Sequence, residues 1–278
     1  MKRKLTQLIT AVLYNSHLSG FLNGRIYKGK LKGVCTPGLN CYSCPGAVAA
    51  CPLGSFQGAI AKSAYKLPIY MLGMLLLSGI LFGRFICGFL CPFGLLQELI
   101  SIIPSPKINK NKATRILSYL KYVMLAVFVL LIPLLTMDPG FCKYICPAGT
   151  LEAGIPFFIL DEGVRAVTGV LFSWKIIVLL FIIIICLFLY RGFCRFLCPL
   201  GAIYSFFNPV SFSGVGINKE KCTDCGICIS KCRMDISRIG DSECIQCMEC
   251  TEFCPEDAVT VRGLLRGKTE KSGKLFME

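Results

Sequence analysis

Three stretches of the sequence are apolar and almost free of charge, and they constrain the fold more than any other feature. Residues 67–83 carry no charged side chain, and residues 116–137 and 166–190 carry only Lys121 and Lys175. A bilayer core is about 30 Å thick, so a helix needs roughly 20 apolar residues to cross it. The stretches therefore predict three membrane spans, with Lys121 near enough to one end to extend to the lipid headgroups.

A fourth segment, residues 5–24, is also uncharged but contains several polar side chains. It either crosses the bilayer or lies in the interface, and we favour the crossing. The basic residues 1–4 resemble the start of a signal peptide, but no small-residue cleavage site follows, so we expect the segment to be retained. The sequence thus predicts a mainly α fold with an integral membrane domain of three or four helices.

The composition agrees with a membrane location and argues against nucleic acid. Only 17% of the residues are charged, whereas soluble domains have about 25%. The net charge is +14, from 30 basic and 16 acidic residues. In a membrane protein such an excess is typical of cytoplasmic loops and of contact with anionic headgroups. We therefore expect contact with membrane lipid and no nucleic-acid partner.

After about residue 212 the apolar stretches end and two cysteine runs follow, each with the spacing C-x2-C-x2-C-x3-C. This spacing is typical of bacterial ferredoxins, in which three cysteines of a run bind one [4Fe-4S] cluster and the fourth binds the other. A pair of zinc sites is the alternative, but it leaves the third cysteine of each run without a role. The spacing predicts one cluster on Cys222, Cys225, Cys228 and Cys254, and another on Cys244, Cys247, Cys250 and Cys232.

A second cysteine pattern, C-x3-C-P, occurs three times, each time beside an apolar stretch. Residues four apart lie on one face of a helix, and the proline disfavours continuation of that helix. Each motif therefore presents two thiols, which is half of a four-cysteine site, unless the cysteines are only small buried residues beside a helix stop. The motifs contain Cys87 and Cys91, Cys142 and Cys146, and Cys194 and Cys198.

The loop charges sort these motifs between the two sides of the membrane, because basic loops favour the cytoplasm. The first and third motifs have basic neighbours, and the second has acidic ones. We therefore expect one cluster near the cytoplasmic face, on Cys87, Cys91, Cys194 and Cys198.

The second motif then needs ligands from residues 35–51, which contain four more cysteines. Cys44 and Cys51, each followed by proline, are the first choice, with Cys41 next and Cys35 last. The two membrane sites would be about a membrane's thickness apart, so we expect a quinone or a partner's cofactor between them. Cys186 has no partner at cluster spacing, and we expect it only to pack.

Together, the segments GRFICGFLCPFG and RGFCRFLCPLG and the two ferredoxin runs resemble the membrane-bound polyferredoxin family, over roughly residues 80–260. Members are multi-span proteins with paired C-x3-C-P motifs and a carboxyl-terminal two-cluster ferredoxin. They act as quinol-linked electron donors to periplasmic nitrate reductase, or as iron-sulfur accessory proteins of nitrous oxide reduction and cytochrome oxidase assembly. The resemblance implies [4Fe-4S] clusters, two in the ferredoxin domain and one or two in the membrane domain, with a quinone as a further candidate cofactor.

We expect three regions: a membrane domain at 1–212, a small α+β bacterial-type two-cluster ferredoxin domain at 213–262 and a basic tail at 263–278. The protein would cross the inner membrane of a prokaryotic cell several times and hold the ferredoxin domain in the cytoplasm. It would relay electrons between that domain and the membrane clusters, to or from a quinone or a redox partner protein, as a component of an oxidoreductase system. The alternative is a redox maturation or metal-handling accessory factor for another metalloenzyme.

Overall fold

The computed structural model describes residues 2–62, 68–108 and 111–263, which are mostly helical with one small sheet. The first helices are α1 Lys2–Tyr14, α2 Ser19–Asn23, α3 Pro52–Lys62, α4 Ile69–Phe82, α5 Phe85–Phe89 and α6 Pro92–Ile100. They are followed by α7 Lys112–Thr136, α8 Gly140–Tyr144, α9 Pro147–Leu160, α10 Glu162–Val167, α11 Val170–Phe188, α12 Gly192–Phe196, α13 Pro199–Phe207 and α14 Ile227–Ser230. Strands β1 Gly214–Ile217 and β2 Val259–Arg262 pair antiparallel.

In the described part of the chain, α7 and α11 are long and apolar enough to cross a membrane. Only 28% of the most apolar part of α7 and 17% of that of α11 is buried. Large apolar side chains such as Leu135 on α7 and Phe181 on α11 are exposed instead. A core helix of a soluble protein would bury far more of its surface, so the two helices indicate a membrane protein.

The other two predicted spans are shorter than expected. The apolar stretch at residues 67–83 contains α4, which has 14 residues. At 1.5 Å per residue this helix is about 21 Å long. Residues 5–24 do not form one helix: α1 ends at Tyr14 and α2 is separate. The polar residues of the segment 5–24 explain why it differs from the predicted span, because Gln7 and Thr10 are buried inside the protein and do not face lipid.

The three C-x3-C-P motifs share one local structure. In each motif, a five-residue helix (α5, α8 or α12) contains the first cysteine and then ends. A second helix (α6, α9 or α13) begins at the proline. Proline is favoured at the first position of a helix because it lacks an N–H that would otherwise be unpaired. The second cysteine caps the new helix, and the thiols of Cys146 and Cys198 accept the N–H of Gly149 (3.4 Å) and of Gly201 (3.3 Å).

The residues that contain the ferredoxin runs pack against the membrane helices through buried polar contacts. Asn208, just after α13, donates its Nδ2 to the carbonyl oxygens of Asp241 (2.6 Å) and Cys244 (2.8 Å). The carboxylate of Glu243 pairs with Arg84 (2.9 Å) and with Lys121, and Asp235 pairs with Arg195. These contacts hold residues 235–246 against the ends of α4, α7 and α13.

The position of Lys121 differs from the sequence-based prediction. Its side chain is fully buried and pairs with Glu243 instead of extending to the headgroups. A buried cation needs an anionic partner to offset its desolvation, and that partner comes from a segment more than a hundred residues away. The prediction that Lys121 extends to the headgroups is therefore wrong.

Candidate metal centres

In the described part of the chain, four cavities are lined by cysteines, and together they include sixteen of the nineteen. Each cavity defines a site of four cysteines, with Cys228 bordering a second cavity as well. Two cavities lie among the helices of residues 37–204 and two in the ferredoxin runs. Site A contains Cys87, Cys91, Cys194 and Cys198. Site B contains Cys41, Cys51, Cys142 and Cys146. Site C contains Cys232, Cys244, Cys247 and Cys250. Site D contains Cys222, Cys225, Cys228 and Cys254.

Site A is a small, apolar space between the first and third motifs. All four of its cysteines are buried. Burial raises the pKa of Cys91 to about 12, and the neighbouring sulfurs of Cys194 and Cys87 act in the same direction because like charges disfavour each other. The four thiols thus face one another, as the sequence predicted for a shared site.

Two buried arginines hold the halves of site A together. Each stands three residues before the first cysteine of its own motif and donates to the first cysteine of the other. Arg191 donates to the carbonyl oxygen of Cys87 (2.6 Å), and Arg84 donates to that of Cys194 (3.3 Å). The second motif has Pro139 at this position. The arginine three residues before the first cysteine is therefore a sequence signal for the pairing of the first motif with the third.

Carboxylates neutralise both arginines. Arg84 pairs with Glu243 (2.9 Å), and Arg191 donates its Nε to Glu98 (2.9 Å). Arg3 of α1 also pairs with Glu98 (2.6 Å). Site A is thus surrounded by buried ion pairs, and its arginines carry partners that keep them charged.

Site B lies between the second motif and residues 41–54, and its cavity is much larger than that of site A, at about 370 Å³. The cysteines from residues 35–51 that line this cavity are Cys41 and Cys51, whereas the first choice from the sequence was Cys44 and Cys51. Cys44 does not line the cavity. The sulfur of Cys44 instead accepts from the backbone N–H groups of Gly46 and Ala47. Cys35 is also directed elsewhere, with its sulfur 3.5 Å from that of Met71.

A carboxylate and an amide fix the cysteines of site B. Glu152 accepts the backbone N–H of Cys41 (2.6 Å), and burial raises the pKa of this carboxyl to about 7. Gln57 accepts the N–H of Phe141 (3.0 Å), and its Nε2 lies 3.7 Å from the sulfur of Cys142. The carboxylate contact supports Cys41, since it anchors this residue to the helix that follows Cys146.

Sites A and B are neighbours, which corrects the expectation that they lie a membrane's thickness apart. Leu39 lines both cavities. On α11, Lys175 donates to the carbonyl of Cys142 at site B (3.4 Å), and Cys186 contacts Gln97 beside site A (3.6 Å). These two positions are eleven residues apart, a rise of about 16 Å, or about half of a bilayer core.

Sites C and D have the crossed arrangement predicted from the ferredoxin spacing. Cys232 from the first run lines the cavity of the second, and Cys254 from the second lines the cavity of the first. Cys228 borders both cavities, so the two sites are adjacent. Site D is the outermost site, because Cys225 is exposed to solvent.

Site C reaches site A through a close contact of the two backbones. Gly88 follows Cys87 of site A directly, and a Cβ on this glycine would lie 2.5 Å from the carbonyl oxygen of Ile245. Ile245 and Cys247 line site C. The four sites therefore form a continuous series in the order D, C, A, B.

The thiols of each site are spread around a cavity rather than gathered on one point. Within residues 2–62, 68–108 and 111–263, no three His, Cys, Asp or Glu side chains are close enough to hold a single metal ion. A cubane cluster binds each of its four cysteines through a different iron atom, so four thiols placed around one cavity are a suitable donor set. The donor set and its spacing therefore fit [4Fe-4S] clusters.

Comparisons with known proteins agree with this geometry. A family described as a 4Fe-4S binding domain matches residues 63–111, 122–155 and 170–213, and each of these segments contains one C-x3-C-P motif. Uncharacterized protein MJ0750 of Methanocaldococcus jannaschii is 30% identical over 220 residues, which are 76% of this chain and 85% of that protein. No solved structure matches the chain.

Two relatives from Escherichia coli have descriptive names. YccM, assigned to electron transport, is 27% identical over 203 residues, which are 69% of this chain and 55% of YccM. The ferredoxin-type protein NapH is 21% identical over 191 residues, 64% of this chain and 61% of NapH.

Fold and sites define a mostly helical protein with apolar, outward-facing helices and groups of four cysteines. The chain belongs to the polyferredoxin-like family of ferredoxin-type 4Fe-4S electron-transport proteins.

Proposed function

We propose that the chain is an integral membrane electron-transfer protein with four [4Fe-4S] clusters, in sites D, C, A and B. The observation that carries this proposal is the continuous series of four-cysteine cavities, in which each cavity shares a lining residue or a backbone contact with the next. When bound, the clusters supply one-electron transfer. YccM, assigned to electron transport, and the ferredoxin-type protein NapH support the same role.

The cysteine sites differ in their exposure to solvent, and the proposed function assigns them different roles accordingly. The exposed position of Cys225 makes site D the place where a soluble redox partner protein meets the chain. All four cysteines of site A are buried, as are Cys51 and Cys146 of site B, so these side chains would shield clusters held there from water. We place α7, α11 and the shorter α4 in the inner membrane of a prokaryotic cell and the ferredoxin region, residues 213–262, in the cytoplasm.

A quinone is the candidate carrier at the far end of the series. Sites A and B have the same number of thiols, yet the cavity at site B, at about 370 Å³, is much larger than that at site A. The part of the site B cavity away from the thiols is lined by Phe157, Phe158, Phe172 and Lys175. Aromatic rings and a cation suit a flat apolar molecule with carbonyl oxygens.

Iron and sulfide content of anaerobically purified protein tests the cluster assignment. We expect about sixteen iron atoms per chain, because each cubane contains four. Cys41→Ser should lose about four of them, and Cys44→Ser should lose none, since the sulfur of Cys44 does not line site B. Wild-type protein with about eight iron atoms would contradict clusters in the membrane part.

Quinone binding is tested separately, with a short-tailed quinone added to the reduced protein. It should oxidise site B and change the electron paramagnetic resonance (EPR) signal of that site. Gly154→Leu, which fills the cavity lining, should abolish the effect while the iron content stays unchanged. Equal oxidation of wild type and variant would place the quinone elsewhere.

A further inference from the structure

The sequence C-P-x-G-x2-Q occurs twice, at residues 51–57 and 91–97. In both copies the proline begins a helix, α3 or α6. The two glutamines, Gln57 and Gln97, are fully buried. Each faces the first cysteine of the motif that completes its site, Cys142 at site B and Cys194 at site A. Sites A and B therefore share the same local arrangement of a cysteine, a helix that begins at proline and a buried glutamine.

The orientation of the Gln97 amide follows from its hydrogen bonds. Its Oε1 accepts the backbone N–H of Cys194 (3.2 Å), and its Nε2 lies 3.0 Å from the sulfur of the same residue. A backbone N–H can only donate, so the oxygen of the amide must face it. The N–H group of the side chain is then directed at the sulfur, and a second donation to the carbonyl of Phe93 (3.3 Å) fixes it there.

Gln57 makes the corresponding contacts one residue earlier in the partner motif. Its Oε1 accepts the N–H of Phe141 (3.0 Å), and its Nε2 lies 3.7 Å from the sulfur of Cys142. The donor is thus aimed at the equivalent sulfur but stands 0.7 Å further away than at site A. A longer N–H to sulfur contact is weaker.

We propose that Gln97 and Gln57 are equivalent positioning residues, each of which holds the first cysteine of the partner motif and separately sets the reduction potential of its own site. The inference rests on the function proposed above. A reduced cluster carries more negative charge on its sulfurs, and an N–H directed at a ligand sulfur stabilises that state. Each glutamine therefore raises the potential of its site, and Gln97 has the larger effect.

The test is an EPR-monitored redox titration of the full chain. The signal of site A is assigned by its loss in Cys194→Ser, and that of site B by its loss in Cys142→Ser. Gln97→Leu removes the donor and the acceptor, whereas Gln97→Glu keeps an acceptor for the N–H of Cys194. Both should make site A about tenfold harder to reduce, a shift of about 59 mV for one electron, and leave site B unchanged.

Two further variants serve as matched controls. Gln57→Leu should lower the potential of site B by less and leave site A unchanged. Gln7→Leu replaces another fully buried glutamine, whose amide has no hydrogen-bond partner among the described residues, and it should shift neither site.

Unchanged potentials in the Gln97 variants, or equal shifts at both sites, would overturn the inference. A wild-type protein that lacks iron in sites A and B would refute the proposed function instead, so the two failures are distinguishable. If both Gln97 variants lose the iron of site A, the titration of Gln57→Leu decides the question. The contact of Gln57 with the sulfur of Cys142 is longer, so its removal should disturb the iron of site B less.

Discussion

At the scale of single residues, Gly88 determines how closely the ferredoxin region approaches site A. It lies inside the first C-x3-C-P motif, where its missing side chain leaves room for the backbone of Ile245. Any Cβ at this position would collide with a carbonyl oxygen, and a backbone atom cannot turn aside as a flexible side chain can. The distance between sites C and A therefore depends on one glycine.

Gly88→Ala should move the ferredoxin region away from site A. We expect weaker magnetic coupling between the reduced clusters of sites C and A, because the coupling falls with distance, and slower reduction of site A. EPR of the reduced protein and stopped-flow absorbance measure the two effects. The control is Gly73→Ala on α4, where a Cβ meets no atom within 4 Å; if this variant behaves in the same way, the contact at Gly88 is not the cause.

The choice between Cys41 and Cys44 shows what residue patterns can and cannot predict. The spacing of the cysteines predicted the groupings of sites C and D, because ligands close in sequence are constrained by local geometry, and the loop charges predicted the grouping of site A. Cys44 and Cys51 are both followed by proline, but only Pro52 begins a helix. Pro45 lies in a turn, where the thiol faces its own backbone. Sequence alone does not distinguish these two uses of proline.

At the scale of elements, the same unit of short helix, break and longer helix recurs, and the partner of each unit depends on long-range contacts. Arg84 and Arg191 join the first and third units, while Glu152 and Gln57 join the second unit to residues 41–57. Helix positions followed from apolar patterning. The length of α4 and the break after α1 did not, because patterning does not show which polar residues are buried against other elements.

Arg191→Met should destabilise the protein by about 3 kcal/mol, since loss of one partner of a buried ion pair leaves a poorly compensated charge on Glu98. Unfolding in detergent, followed by the loss of cluster absorbance, measures the change. Arg25→Met, at an exposed position, provides the comparison and should have little effect. A similar stability for both variants would show that the reciprocal arginines do not hold site A together.

At the scale of the whole molecule, the four sites form a path from solvent at site D to the large cavity at site B. Loss of one site in the middle should therefore interrupt transfer without affecting the ends. Cys250→Ser removes a thiol of site C. With dithionite supplied only at the ferredoxin side of reconstituted vesicles, we expect site D to be reduced normally and sites A and B to be reduced much more slowly.

Rapid reduction of site B in this variant would contradict the linear order, and Cys44→Ser provides the control because its thiol lines none of the four cavities. Slow reduction of site B in Cys44→Ser as well would point to a general defect of the vesicles.

The buried pairs of Glu243 with Arg84 and Lys121, and of Asp235 with Arg195, prevent the ferredoxin region from swinging like the mobile carrier arms of some redox enzymes. Separation would expose unpaired charges that had been shielded from water, at a cost of several kcal/mol. In the function proposed above, a soluble redox partner protein would therefore bind to a fixed surface of the ferredoxin region. Once that partner is bound, turnover should be insensitive to solvent viscosity.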